Sequence, residues 1–300
     1  MNSEFFIYNP FSRFLEIEGE DGAEFLQSLI TNDIYKCQKD NPIYACLLSP
    51  QGKFLADFFV IKQSNNFLIE IHEKYFSSFL SKLQLYKLRS KLNFNENKNI
   101  SSIIFFGKQD YKIDSEFVSF KDPRNNNIGK KILINTKDKI KIDNIIEESF
   151  IKYKEILTIN LVPFSPDNLE ENKSLLLENN FQNLNAIDWD KGCYVGQEIT
   201  ARMKYRSLLK KKIYNLEIII GEVKIGEEII LENINIGKVI SKVNKNIICM
   251  LKIELINKKS ENKEELKIKV SKTNGTKCPR CWKILDNKCA RCEKATMENI

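Results

Sequence analysis

Among 300 residues there is one histidine, His72, and a single imidazole with no second one to work with is read as structural, without a catalytic or metal-binding role. Long apolar runs are missing too: none approaches the roughly 20 residues a helix needs to cross a bilayer, which excludes a membrane-spanning helix and leaves no membrane partner expected. The opening residues MNSEFFIYNP lack the basic start of a secretory signal and the arginine-rich character of an organellar presequence, so the cytoplasm is the expected compartment. What is present is core material. Hydrophobic residues make up 42% of the chain and include 19 Phe, enough for two domains or for one large domain with an appendage. The abundance of Lys, Asn and Ile is attributed to a nucleotide-biased genome and carries no functional meaning.

Potential chemistry is concentrated in Lys191-Gly192-Cys193-Tyr194-Val195-Gly196-Gln197-Glu198. Two glycines permit a tight, crowded turn, and the residues from Gln197 through Met203 read as the start of a helix. A cysteine just before a helix start, with Lys191 beside it and Arg202 about one turn inside, has two influences that favour the thiolate. The opposing reading is a buried structural cysteine, since burial in apolar surroundings raises a thiol pKa and silences it. Cys37, Cys46 and Cys249 lie in apolar-rich segments and are assigned to the core.

Local patterns place this run in a mixed fold. Asp21 precedes a helical pattern with Glu24 three places on, a reciprocal capping arrangement, and Gly22, Phe25, Leu26, Leu29 and Ile30 share one face. Leu47-Leu48 and Phe54 to Ile61 are strand-prone runs joined by Ser49-Pro50-Gln51-Gly52-Lys53, a hairpin turn that brings Lys53 near Asp57. From Glu73 to Arg89, Phe76, Phe79, Leu80, Leu83, Tyr86 and Leu88 recur at helical spacing, and the basic end suits the helix dipole. Beyond Lys210-Lys211-Lys212, short strand-like runs at Ile213–Ile220, Glu228–Glu232, Gly237–Val243 and Ile247–Leu255 predict a small all-β module.

The Cys193 string resembles the signature K-G-C-Y/F-x-G-Q-E-x-x-x-R of the YgfZ family, folate-binding relatives of the glycine-cleavage T protein, with Arg202 at the signature's arginine. Further ordered segments are similar: FLEIEGEDGAEFLQSLITNDIYKC from Phe14 to Cys37, YACLLSPQGKFLADFFVI from Tyr44 to Ile61, Tyr86 to Lys91, and Asp122-Pro123-Arg124. They span Phe14 to Lys212. The resemblance implies an α+β fold of three lobes around a central cavity. Residues 1–210 would form the folate-binding part in two lobes, 211–271 a C-terminal β-barrel and 272–300 a zinc-finger tail. It also departs from the family: Arg206-Ser207 stands where relatives place Arg-Gly, and Ile156 to Pro163 matches loosely, so the cavity wall is expected to differ there.

The tail carries Cys278-Pro279-Arg280-Cys281 and Cys289-Ala290-Arg291-Cys292, two C-x-x-C pairs seven residues apart. Four thiolates suit a closed structural zinc site, with disulfides and a rubredoxin-like iron as the other readings. C-P-R-C-W followed by C-x-R-C resembles the C-terminal zinc finger of isoleucyl-tRNA synthetases, with a shorter stretch between the pairs. Trp282 packs on the metal knuckle in one reading and stacks on a base in the other. Leu251 to Ile300 holds thirteen Lys and Arg against seven Asp and Glu, so most of the net charge of +7 sits there. A second basic cluster, Arg202, Lys204, Arg206 and Lys210 to Lys212, is either a solvated surface or a seat for the glutamate tail of a folate.

Three functions compete. The resemblance implies a folate-binding accessory protein for iron–sulfur cluster assembly or repair, and through it for cluster-dependent tRNA modification, with iron–sulfur proteins or their assembly factors as partners. Cys193 would be its redox-sensitive thiol or transient sulfur or metal ligand, with Lys191 and Arg202 in support. Tetrahydrofolate contacts are assigned by residue type to Asn32, Asp33, Lys53, Asp57, Arg89, Tyr194, Gly196, Gln197 and Glu198. The second function is a tetrahydrofolate-dependent aminomethyltransferase, disfavoured because the cysteine signature replaces the transferase's own pattern. The third is an RNA-binding module using the basic tail, with tRNA as its partner.

Overall fold

The computed structural model describes residues 4–107, 116–136, 145–206, 208–231 and 233–260, with two short strands at 276–277 and 284–285. The first two strands part company at once. β1 (Phe5–Asn9) enters one sheet and β2 (Ser12–Glu18) another, so the two N-terminal sheets are stitched together from the start of the chain.

The helix α1 (Gly22–Leu29) follows, burying Gly22, Phe25, Leu26 and Leu29 as its spacing predicts. Its cap differs from the expected capping box. Asp21 has φ −87° and ψ 4° rather than the extended conformation a capping side chain needs, and its Oδ2 instead accepts the Lys91 N–H at 2.7 Å. Next come β3 (Ile43–Leu48), β4 (Phe54–Gln63), β5 (Asn66–His72), α2 (Glu73–Lys87) and β6 (Asn93–Glu96). With β2 they form an antiparallel sheet in the order β3-β4-β5-β2-β6. All of β3 is buried, as in a strand covered on both faces. α2 lays Tyr75, Phe76, Phe79 and Leu83 on this sheet, with Phe79 4.8 Å from Phe58 between ring centres. The apolar stripe fails at its end: the helix stops at Lys87, and Leu88 turns out to 88% exposure at φ 45° and ψ −110°. His72 is structural, as expected. It caps α2 by accepting the Lys74 N–H on Nδ1 at 3.1 Å and stacks on Phe11, and burial lowers its pKa.

The second sheet takes β7 (Ile100–Phe106), β8 (Glu116–Lys121), β9 (Lys130–Asn135) and β10 (Ile146–Glu147) in the order β10-β1-β7-β9-β8, antiparallel except where β10 runs parallel to β1. Inner residues of both sheets, among them Ile104, Leu133, Phe58 and Ile69, share one core. Helices α3 (Phe150–Ile159) and α4 (Ser165–Asn168) close it, and an irregular run then leads to α5 (Gln197–Tyr205).

The C-terminal strands β11 (Lys211–Glu217), β12 (Glu228–Leu231), β13 (Ile234–Val243) and β14 (Asn246–Lys252) form an antiparallel sheet in the order β11-β14-β13-β12 with its own apolar cluster. Among the described residues this module is an open sheet with β11 and β12 at its edges, where a barrel was expected. The chain becomes helical in α6 (Ile253–Ser260) where the sequence read as continuing strand. Two strands, β15 (Thr276–Lys277) and β16 (Ile284–Leu285), pair antiparallel. Cys278, Cys281, Cys289 and Cys292, the proposed zinc ligands, lie outside the described residues. Among the described residues no group of three or more His, Cys, Asp or Glu is disposed to hold a metal.

Candidate functional site

The Cys193 loop is held from behind by the turn after α1. Thr31 accepts the Asp188 N–H on its carbonyl at 3.0 Å, and its hydroxyl donates to Ala186 O at 2.6 Å while accepting the Cys46 N–H at 2.8 Å. Asn32 donates its amide to Tyr44 O and Asn185 O and accepts the Asp33 N–H, and Asp33 accepts from Gln27 and from the Tyr35 N–H. Both side chains, assigned to folate by type, are engaged inside the protein. Asp188 accepts the N–H groups of Asp190 and Lys191 and is paired with Lys36.

Lys191 is the deepest anchor. Its ammonium donates to Gln27 O, Ile30 O and Asn32 O at 2.8, 2.7 and 2.9 Å, a cation set on the last carbonyls of α1 and the turn beyond. Burial draws its pKa down to about 8, while the charges of Asp33 and Asp188 act the other way.

In front of this scaffold the loop meets the β3–β4 hairpin. The turn closes through Gly52 N–H to Ser49 O and Ser49 N–H to Lys53 O, both 2.8 Å. Gly52 (φ 69°) and Gly196 (φ 82°) are in the left-handed region and pack face to face: a Cβ on Gly196 would sit 2.5 Å from Ser49 O, and one on Gly52 2.8 Å from Ile199 Cβ. Gly192 makes no such demand, since a Cβ there meets open space. Gly196 is the N-cap of α5, and on that helix Glu198 pairs with Arg202 at 2.5 Å, both exposed.

Cys193 is exposed, whereas Cys37, Cys46 and Cys249 are buried with thiol pKa values raised by desolvation, as expected of core cysteines. It opens into a cleft of about 810 Å³ whose walls include Pro50, Tyr86, Tyr194, Gln197, Arg202 and Tyr205. Of the residues singled out in sequence, Tyr194, Gly196, Gln197, Glu198 and Arg202 meet Cys193 here. Arg89 stands across Tyr86 in a second cleft with Leu88, Asp21 and Glu24. Lys53 is half-buried at the hairpin, and Asp57 accepts the Tyr44 hydroxyl at 2.6 Å deeper in the molecule.

Asp57 also lines a central cavity of only about 60 Å³ between the two N-terminal sheets and α3. Of its charged lining, Asp57 and Arg124 stood out in sequence, and Glu70 and Lys131 were missed. Lys131 donates to Glu70 Oε1 at 2.7 Å and lies 4.1 Å over Phe59, and Glu70 Oε2 is buried without a partner. Arg124 binds both oxygens of Asp122 and the Tyr153 hydroxyl. For Glu70 the signal was available, since it interrupts the apolar run from Phe67 to Ile71, whereas Lys131 follows Lys130 at the start of its strand and gave no such signal.

The fold is that of the glycine-cleavage T protein. The aminomethyltransferase T of the glycine cleavage system from Bartonella henselae superposes with a TM-score of 0.69 at 11% identity, over 84% of this chain and 79% of that one. By sequence the chain is similar to proteins named iron-sulfur cluster assembly factor IBA57 homolog, mitochondrial. It is 27% identical to that of Mycosarcoma maydis over 69% of this chain and 55% of the relative, and 27% identical to that of Dictyostelium discoideum over 70% and 62%. The chain thus spans little more than half the length of these relatives. Their names place them in mitochondria, where the sequence pointed to the cytoplasm. No family model matches the chain. Among the described residues no helix is long and apolar enough to cross a membrane.

Proposed function

We propose that this chain is an iron–sulfur cluster assembly factor in which Cys193 serves as a transient ligand to a cluster in transit. The carrying observation is the exposed Cys193 thiol in the cleft of its signature string, the one exposed cysteine among the described residues. The names of the relatives support the same reading. The step is a ligand exchange. Cys193 releases its proton to solvent, its sulfur bonds to a cluster iron, and the donor thiolate it displaces leaves and takes up a proton, with no electron moved. A lone surface cysteine is a poor permanent site, which suits passage rather than storage.

A reduced folate, which the resemblance implies, is tested against the two cavities. The central one does not fit: its 60 Å³ is far below the roughly 300–1,000 Å³ of ligand pockets. The Cys193 cleft fits in room and in donor set. Tyr86 and Tyr205 supply ring faces, Gln197 an amide, and Arg202 with Arg206 guanidiniums for the carboxylates of a glutamate tail. When bound, such a cofactor carries one-carbon units. The assembly role leaves that capacity unused.

Cys193→Ala is expected to fold as the parent does and to fail in restoring cluster-dependent enzymes to cells lacking the protein. Full restoration by this variant would sink the proposal, and turnover of an aminomethyl donor by the purified parent would favour the transferase instead. The tail's zinc and RNA contacts belong to the same proposal as accessory features, checked by zinc content and tRNA retention with and without Cys278→Ser/Cys281→Ser.

A further inference from the structure

The central cavity is too small for a folate, yet its walls leave a carboxylate half satisfied. Glu70, 2% exposed, takes both of its donors on one oxygen: Ser12 Oγ at 2.6 Å and Lys131 Nζ at 2.7 Å reach Oε1, and Oε2 has no partner. Ser165, also 2% exposed, lines the same cavity with its hydroxyl unpartnered. A desolvated oxygen without a hydrogen bond is costly, so two at one cavity call for a ligand. The charges are unbalanced as well. Lys131 is matched by Glu70, and Arg124 by Asp122, which holds it through both oxygens. Of the charged residues lining the cavity, Asp57 is left as one negative charge in excess, and His72 adds no positive charge at neutral pH because burial lowers its pKa.

We propose that this cavity binds a small ammonium cation, ammonium itself or methylammonium, with Glu70 Oε2 and Ser165 Oγ as acceptors and Asp57 as counter-charge. The inference is independent of the role given to Cys193, since the two cavities share no lining residue. A volume of about 60 Å³ admits a few heavy atoms and no ring system. Water could donate to both oxygens, but only a cation also balances Asp57. A divalent metal is a poor match, because among the described residues no group of three or more His, Cys, Asp or Glu is disposed to hold one. Phe58, Phe150 and Phe164 are among the walls, giving a methyl group apolar contact and the cation aromatic neighbours. Glu70 lies on β5, Lys131 on β9 and Ser165 on α4, so the bound cation acts where both N-terminal sheets and a covering helix meet.

The test follows thermal unfolding of the full chain in methylammonium chloride, with sodium chloride and tetramethylammonium chloride at matched ionic strength as controls. Two heavy atoms limit the affinity to a Kd of the order of 10 mM. At about 100 mM methylammonium the melting temperature is therefore expected to rise by about 2 °C, along a curve that saturates, while sodium and the bulkier tetramethylammonium give no saturating rise. Ser165→Ala is expected to weaken the response about tenfold in concentration. Asp57→Asn keeps an acceptor for the Tyr44 hydroxyl but removes the excess charge, and is expected to abolish the response. A rise of equal size in all three salts would mark a general salt effect and overturn the proposal. So would a methylammonium response that both variants retain in full, which would locate binding elsewhere, or no response from the parent, which would leave water as the occupant.

Discussion

Lys191 was read in sequence as a charge favouring the Cys193 thiolate, and the structure shows its ammonium donating elsewhere. Sequence proximity set its charge beside Cys193, two residues away. In the structure its three donors lie on the carbonyls of Gln27, Ile30 and Asn32, so the ammonium ties the loop to α1. Lys191→Met would leave three carbonyls without donors and is expected to cost about 2–3 kcal/mol, read from chemical denaturation. Exchange of the Val195 N–H, which is bonded to Ser28 O at 3.2 Å, should rise with it. Unchanged stability and exchange would refute the anchoring role.

At the scale of elements, the hairpin and the cysteine loop are one device. The two motifs sit far apart in sequence, yet Gly52 and Gly196 admit each other only because neither has a Cβ. Gly196→Ala combines a left-handed φ with backbone contact at 2.5 Å that no rotamer relieves, and about 3 kcal/mol of destabilisation is expected. Gly192→Ala, with open space around it, should be near neutral in the same melting experiment. Local pattern was sufficient for α1, the β3–β4 hairpin and most of α2, because helical periodicity and turn residues are short-range signals. It was insufficient for the Asp21 cap, the exposed Leu88 and the strand-to-helix change at Ile253, each decided by backbone angles or by distant partners. The cysteine string was legible as a candidate site. That Asn32 and Asp33 are engaged within the chain was not, since Tyr44, Asn185 and Gln27 lie on other segments.

The whole molecule depends on the seam between its two N-terminal sheets. Lys131 on β9 and Glu70 on β5 form an ion pair across it, with Lys131 3% exposed and Glu70 2%. Such a pair is weak evidence of stability by itself, but removing one partner strands a buried charge. Lys131→Met is therefore expected to lose about 3–5 kcal/mol, and Lys131→Met/Glu70→Gln to recover most of it, in urea titrations followed by circular dichroism. A double variant as unstable as the single one would show that the pair does not act as a unit.

The meeting of Gly52 with Gly196 joins segments separated by most of both N-terminal lobes, so it can form only after both have been synthesised, and its loop closure is entropically costly. Because the walls of the Cys193 cleft run through Tyr205 and Arg206, a chain must have been made past the end of α5 before those walls are complete.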